Sequence, residues 1–134
     1  MQVFDNDYET ANFHEDLQLF EAVWKSKSEK MADEDYRNEI VKQFDFIATK
    51  KFKYVLWDTR EFFFTIVPKT QQWNNEIIVK NFHLAGVQKV AIVVTPDIFA
   101  EVSVQQTMEE SSNVNFETQS FETREDAWAW LFNK

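Results

Sequence analysis

The chain has 134 residues, of which 44% are hydrophobic and 16% aromatic, which is enough apolar material for one folded domain but too little chain for two. Its formal charge of -9 at pH 7 repels nucleic-acid phosphates and anionic bilayer surfaces, so we expect neither as a partner. The absence of cysteine excludes disulfides, thiolate metal sites and a cysteine nucleophile.

The sequence shows no sign of export or of a membrane span. It has no apolar run of the signal-peptide type near its start. Its longest apolar run, VAIVV at residues 90–94, is much shorter than the roughly 20 residues that cross a bilayer. We therefore expect a single domain, residues 1–134, located in the cytoplasm.

The first residues predict antiparallel strands. ETANFH alternates weakly between apolar and polar residues, and a turn is indicated at Glu15 and Asp16. LQLFEAVWK, residues 17–25, then alternates with two half-apolar faces. We expect these segments to enter the sheet as a hairpin.

The hydrophobic period changes at Asp33, where a surface helix is predicted. Apolar side chains recur at helix spacing, as at Tyr36, Ile40 and Ile47. Three acidic residues lie in its first turn and two lysines follow its end, as the helix dipole favours. KYVLWD, residues 53–58, then predicts a short strand.

A second helix is predicted to begin at Pro68 and to end before Gly86. Proline suits the first helical position because its missing N–H would have no partner there. Glycine is the residue expected in a left-handed C-terminal cap. The predicted apolar face of this helix consists of Trp73, Ile77, Asn81 and Leu84.

The remaining segments alternate between strand and helix signals. QKVAIVV, residues 88–94, is typical of an interior parallel strand covered on both faces. TPD at 95–97 predicts the start of a third helix, NVNFETQSF at 113–121 a last strand, and Thr123 with Asp126 the capped start of a fourth helix. The third helix is predicted to carry Ile98, Phe99, Val102 and Met108. This order favours an α/β fold with a mixed, mostly parallel sheet and right-handed crossovers.

Several of these segments resemble one family. The hairpin entry, VLWDTR, KVAIVV and the closing FETREDAWAWL are similar to the STAS-like proteins of the SpoIIAA-like branch, over nearly the entire chain. The resemblance implies a single STAS-like domain with about four helices. Members of this kind include anti-sigma-factor antagonists, transporter-attached regulatory domains and small bacterial proteins, some of them suspected of binding lipids or other apolar molecules. Few are enzymes.

The regulatory members carry a phosphorylatable serine at the start of the helix that follows the VLWD-like strand, usually in a DSSG-like loop. Val67 and Pro68 occupy that position here, and the loop has no glycine. Thr65 and Thr70 are the nearby hydroxyls, and a threonine at a helix start is more often a cap than a phosphorylation site. We therefore expect no phosphorylation switch at this position.

The candidate binding or interface residues lie just beyond the VLWD strand, where open α/β sheets place ligand sites. Asp58 and Arg60 are either an anion clamp with a general base or a structural pair in which the carboxylate accepts loop N–H groups. The structural pair is favoured, because no histidine or cysteine in the segment completes a catalytic group. The candidates are Asp58, Thr59, Arg60, Phe62, Phe63, Phe64, Thr65 and Ile66.

The three consecutive phenylalanines have two interpretations. In one, Phe62 and Phe64 cover the sheet edge and only Phe63 is exposed. In the other, the triplet lines an apolar pocket or an oligomer interface together with Ile66, Trp73 and Phe99. A second copy of the chain is the expected partner for such a patch, because a two-fold dimer covers it on both subunits.

Metal and cofactor sites are not expected. His14 and His83 are the only histidines, and they lie on separate predicted elements without a carboxylate cluster at ligand spacing. The acidic runs at 33–35 and 109–110 are typical of solvated helix ends. One glycine is too few for a P-loop or a dinucleotide fingerprint.

Together these features favour a non-catalytic binding or regulatory module. The alternative is a carrier or sensor of a small lipid or other apolar molecule, and an enzyme that uses Asp58 and Arg60 ranks third. A pocket behind the triplet would favour the carrier, whereas a flat apolar patch would favour a protein partner.

Overall fold

The computed structural model of this chain describes residues 1–100 and 116–132. Within these residues six strands form one sheet, and their order across the sheet is their order along the chain. The first strand pairs with the second and the second with the third in antiparallel fashion, whereas the third to the sixth strands run parallel to one another. The strands are β1 (Gln2–Asp5), β2 (Glu9–His14), β3 (Leu19–Trp24), β4 (Tyr54–Asp58), β5 (Lys89–Val93) and β6 (Glu117–Phe121).

Helices cover the sheet on both sides. They are α1 (Asp33–Ile47), α2 (Pro68–Ala85) and α3 (Arg124–Phe132), and a short 3-10 helix spans Ser26–Lys30. Residues 96–100 are also helical, as the TPD signal predicts. Val102 and Met108 of that predicted helix, the acidic pair at 109–110 and residues 113–115 of the predicted last strand lie outside the described residues.

This architecture confirms the predicted α/β class, with an antiparallel entry into a mixed sheet and four α-helical segments among the described residues. β5 pairs with both β4 and β6, so the strand predicted to be interior is interior. Among the helices of residues 1–100 and 116–132, none is long and apolar enough to cross a membrane.

Both predicted ends of α2 are confirmed, but its predicted apolar face is partly wrong. Pro68 is its first residue, and Gly86 caps it at φ 87°, a left-handed conformation that glycine adopts without steric penalty. Leu84, expected on the inward face, is 60% exposed. The buried positions of α2 include two polar residues, Thr70 and Asn74. The inward face therefore cannot be found from the most apolar positions alone.

The sheet has two different faces, because neighbouring residues of a strand point to opposite sides. Val55 and Val90 lie in the core that packs under α1 and α2, which we call the helix-pair face. Leu56 and Ala91 lie in the smaller core under α3, which we call the α3 face. The loop after β4 carries the candidate residues, and its Phe62, Phe64 and Ile66 pack against the core of the helix-pair face.

Candidate functional site

Asp58 ends β4 and holds the loop that follows it. Its carboxylate is buried, with 6% of the residue exposed. It accepts hydrogen bonds from the backbone N–H of Arg60 at 3.2 Å and from the guanidinium of Arg60 at 3.0 Å (Nε) and 2.6 Å (Nη2). These bonds to Asp58 raise the pKa of Arg60. The contacts are those of the favoured structural pair.

Thr59 joins the same loop to the next strand. Its backbone N–H and its hydroxyl both donate to the carbonyl oxygen of Val93, at 2.8 and 2.9 Å. Val93 is the last residue of β5. The start of the loop is therefore tied to the carboxyl ends of two parallel strands, the edge at which α/β sheets bind ligands.

Two of the three phenylalanines pack inward. The ring of Phe62 lies 4.8 Å from that of Trp24 and 5.8 Å from that of Tyr36, measured between centroids. Phe64 stacks on Tyr36 at 5.3 Å. Phe63 points outward and is 51% exposed. This packing matches the interpretation in which Phe62 and Phe64 cover the sheet edge.

Ser28 fixes the backbone that directs these rings. Its hydroxyl donates to the carbonyl oxygen of Glu61 at 3.0 Å and accepts the N–H of Phe63 at 2.9 Å. Ser28 is fully buried, so these bonds are shielded from water. Further along the loop, Thr65 is exposed and Ile66 is half-buried.

The start of α2 is bound to α1 by Thr70. Its hydroxyl donates to Oδ1 of Asp33 at 2.6 Å and accepts a bond from Nη2 of Arg37 at 2.9 Å. The bond from Thr70 is the main cause that lowers the pKa of Asp33. The Arg37 guanidinium also lies 5.2 Å above the ring of Trp73, which places Trp73 in a cation–π contact. Thr70 is thus a buried link between two helices.

A cavity of about 390 Å³ lies on the helix-pair face, between the sheet and the helices α1 and α2. Three of the eight predicted residues, Thr59, Phe62 and Ile66, line it. Trp73 and Phe99, which the pocket interpretation included, are not among the described lining residues. The wall is mainly aromatic and aliphatic, and its polar members are Gln43, Thr59, Gln71, Asn74, Asn75 and Thr118.

A chain of buried polar side chains leads from this wall into the core, and the sequence analysis missed it. Trp57 Nε1 donates to Oε1 of Gln43 at 3.1 Å, and Nε2 of Gln43 donates to Oε1 of Glu9 at 2.8 Å. Glu9 has no exposed surface. Burial, and secondarily the neighbouring carboxylate of Glu39, raises the pKa of Glu9 to about 10. The buried acid is therefore neutral at pH 7.

The sequence did contain a signal for this network. Glu9 alternates with Ala11 and Phe13 in ETANFH, so it shares the inward face of β2. Gln43 lies on the same helical stripe as Ile40 and Ile47 in α1. A polar residue at an apolar position of either pattern predicts a buried hydrogen-bonded group.

The α3 face treats its buried carboxylate differently. Glu21 is 5% exposed and accepts two bonds from the guanidinium of Arg124, at 2.7 Å (Nε) and 3.1 Å (Nη2). Nε2 of His14 lies 3.1 Å from Glu21 Oε1, and the Arg124 guanidinium lies 4.5 Å above the ring of Trp128. The bonds to Glu21 raise the pKa of Arg124. Sequence analysis did not place His14 beside a carboxylate.

These residues do not assemble into a metal centre. Within residues 1–100 and 116–132, no group of three or more histidine or acidic side chains is placed to hold a metal ion. The carboxylates that the structure buries near the loop are bonded to arginine instead.

The antiparallel entry, the parallel remainder of the sheet and the helices on both faces define an α/β domain of the STAS-like class. A family model described as SpoIIAA-like matches residues 23–132, and the chain belongs to this family. No curated protein and no solved structure gave a significant match. Membership is consistent with a non-catalytic regulatory or binding module.

Proposed function

We propose that this protein is a binding module that takes a small, mainly apolar molecule into the cavity on the helix-pair face. The observation that carries the proposal is the cavity itself, because about 390 Å³ lies within the usual range for small-molecule sites. Its wall includes Trp24, Phe62 and Ile92. This is the carrier or sensor reading, and a pocket behind the phenylalanine triplet is the feature expected of it.

The chemistry of the wall supports binding without catalysis. The described lining residues include amides, hydroxyls and apolar side chains but no carboxylate, imidazole, amine or guanidinium. Tyr36 contributes a phenol hydroxyl to this wall. Burial raises the pKa of this hydroxyl above its ordinary value, so it is neutral at pH 7. Asp58 and Arg60 pair with each other outside the lining. General acid–base catalysis works best with a group whose pKa lies near the operating pH, and the raised pKa of Tyr36 lies further from neutral pH than that of an ordinary phenol.

The proposal is tested by filling the cavity. Ile78 lines it, whereas the next residue, Val79, is 43% exposed on the outer side of α2. Naphthalene is a suitable apolar probe because it has no hydrogen-bonding group. Ligand-observed NMR is expected to show one-to-one binding to wild type and to Val79→Trp, and loss of binding in Ile78→Trp. Native mass spectrometry of the purified protein would show any co-purified molecule.

Two results would contradict the proposal. One is a wild-type protein that carries no ligand and does not bind naphthalene. The other is an Ile78→Trp variant that is folded and binds as well as wild type, since the bound molecule would then lie elsewhere.

We propose as a second candidate that the loop also contacts a protein, most simply a second copy of the chain. Phe63 supports this, because it is the one aromatic residue among the exposed large hydrophobic side chains of the described residues. Val67, on the same loop, is 48% exposed. Sedimentation velocity at micromolar concentration is expected to show a dimer for wild type and a monomer for Phe63→Glu. A wild-type monomer would contradict the dimer and leave the cavity proposal intact.

A further inference from the structure

Asn74 is the residue of the cavity wall whose hydrogen bonding is incomplete. It lies on the inward side of α2 and is 8% exposed. Its Oδ1 is buried and has no hydrogen-bond partner in the part of the chain that the structure describes. A buried carbonyl without a donor is unfavourable, and such atoms are uncommon in native proteins. The unsatisfied acceptor therefore calls for a donor from outside the described chain.

Several neighbouring polar groups of the wall already have hydrogen-bond partners within the protein. Oε1 of Gln43 accepts from Trp57, and the hydroxyl of Thr59 donates to a backbone carbonyl. Gln71 donates to Oδ1 of Asn75 at 2.9 Å. Besides Asn74, only Glu9 has a buried polar side-chain atom without a partner among the described residues, and Glu9 does not line the cavity.

The cavity also has no cation to receive an anionic group. The described lining residues include no lysine, arginine or histidine, and the whole chain carries a formal charge of -9. An ionised carboxylate or phosphate buried there would lose its hydration without gaining an opposite charge. The electrostatics of the wall therefore favour a molecule whose buried part is neutral.

The volume gives the approximate size of a molecule that would fill the cavity. A water molecule occupies about 30 Å³ of liquid, so a cavity of about 390 Å³ has space for roughly a dozen non-hydrogen atoms. A saturated chain of about ten carbons with one polar group is of this size.

We propose that the ligand is a neutral molecule of about a dozen non-hydrogen atoms, with an apolar body and one hydroxyl or amide N–H that donates to Oδ1 of Asn74. The inference rests on the proposed function and narrows it to a ligand class. Long-chain alcohols and amides belong to this class, and ionised fatty acids do not.

The test compares three probes of similar length: 1-decanol, which has a donor; 1-methoxynonane, which has none; and decanoate, which is ionised at neutral pH. Wild type is expected to bind 1-decanol about tenfold more tightly than the ether, because one net hydrogen bond is worth about one factor of ten. Decanoate is expected to bind more weakly still. Titration followed by NMR measures all three.

The variants Asn74→Leu and Gln72→Leu show whether the preference for the alcohol depends on Asn74. Leucine resembles asparagine in size and removes the acceptor, so Asn74→Leu is expected to bind the ether and to lose the preference for the alcohol. Gln72 lies at an exposed position of α2 and is not among the lining residues, so Gln72→Leu is expected to keep the preference. Thermal melts of both variants check that they are folded.

The outcomes separate this inference from the proposed function. Equal binding of all three probes, or an undiminished preference in Asn74→Leu, overturns the neutral-donor ligand while the cavity proposal stands. Tighter binding of decanoate overturns it as well. If naphthalene and all three probes fail to bind wild type, the proposed function is overturned and the inference with it.

Discussion

The two faces of the sheet stabilise their buried carboxyl groups differently. On the α3 face, the buried carboxylates of Glu21 and Asp58 are each bonded by an arginine whose side chain is still 44–45% exposed. On the helix-pair face, the buried carboxyl of Glu9 is kept neutral and is bonded through Gln43 to the wall of a cavity. The helix-pair face also has a buried carboxylate paired at its rim, Glu39 with Lys42 at 2.9 Å, but it keeps the carboxyl of Glu9 neutral deep inside.

This difference indicates that the α3 face has a structural role and that the helix-pair face contains the binding site. The buried Oδ1 of Asn74, which has no partner among the described residues, belongs to the helix-pair face, and so does the neutral carboxyl of Glu9. The cavity lies on that face as well. A native protein retains empty volume and unsatisfied groups mainly where another requirement opposes close packing. We expect the α3 face to respond to mutation as a structural core and the helix-pair face as a site.

The largest expected effect is a truncation in the α3 core. Leu56 has no exposed surface, and Leu56→Ala should lower the free energy of unfolding by about 2–5 kcal/mol. Ile78 is half-buried beside the existing cavity, so Ile78→Ala should cost clearly less. Urea unfolding of both variants measures the difference. Equal losses would mean that the two faces are packed alike.

The next effect is a pH dependence that belongs to Glu9. Its carboxyl keeps a proton in the folded chain up to a pKa of about 10, whereas the unfolded chain releases it near 4.5. The folded state therefore binds more protons across this window, and stability falls as pH rises. Glu9→Gln retains a donor toward Glu39 and an acceptor for Gln43 while removing the titration.

The variant and the wild type should therefore diverge with pH. The free energy of unfolding of Glu9→Gln minus that of wild type should increase by about 1.4 kcal/mol for each pH unit between roughly pH 6 and 8. Urea unfolding at several pH values measures both. Parallel pH curves would show that Glu9 is ionised in the folded chain, and the comparison of the two faces would then lose one of its main supports.

A smaller effect is expected at the edge of the α3 face. Asp58→Asn keeps an acceptor for the backbone of Arg60 but loses the two-bond ion pair, and should lower stability by about 1–3 kcal/mol. Glu61→Gln removes the same charge from an exposed position nearby and should change stability by less than about 0.5 kcal/mol. If Asp58→Asn melts like wild type but alters an assigned activity, the result would favour the interpretation of Asp58 as a general base.

The smallest effect is expected from incubation with kinases, because we expect no phosphorylation at the start of α2. Val67 is the N-cap residue of α2 and Pro68 its first residue. The family resemblance implies that regulatory members carry their serine at this position. Thr70 is fully buried and bonded to Asp33, which leaves Thr65 as the accessible hydroxyl. Peptide mapping after incubation with a kinase-containing lysate should show no stoichiometric phosphate in this segment. Phosphate on Thr65 or Thr70 with altered partner binding would contradict this.

The sequence predicts elements better than it predicts the site, for a physical reason. Pro68 and Gly86 mark the ends of α2 because each has a backbone requirement that acts locally. The inward direction of Phe62 depends on Trp24 and Tyr36, which come from a different strand and helix. No local pattern contains that information.

The cavity could not be predicted from the sequence, because its wall combines residues from several elements. Part of the wall was nevertheless predicted. Thr59, Phe62 and Ile66 were predicted from their place after a parallel strand, which is a rule of topology. Asn74 lies on a helix face whose apolar stripe was assigned to other positions, and Glu9 lies outside the region that matches the family. The strand pattern indicates that Glu9 is buried, but its hydrogen-bond partners come from other elements and follow only from the packing.

Methyl NMR with naphthalene tests the central claim most directly, because it reports on both faces at once. Ring currents of the bound probe should shift the methyl signals of Ile66, Ile78 and Ile92, which line the cavity. The signals of Leu56 and Leu131, buried on the α3 face, should stay in place. Shifts confined to the α3 face, or no shifts at a saturating concentration of probe, would contradict the account.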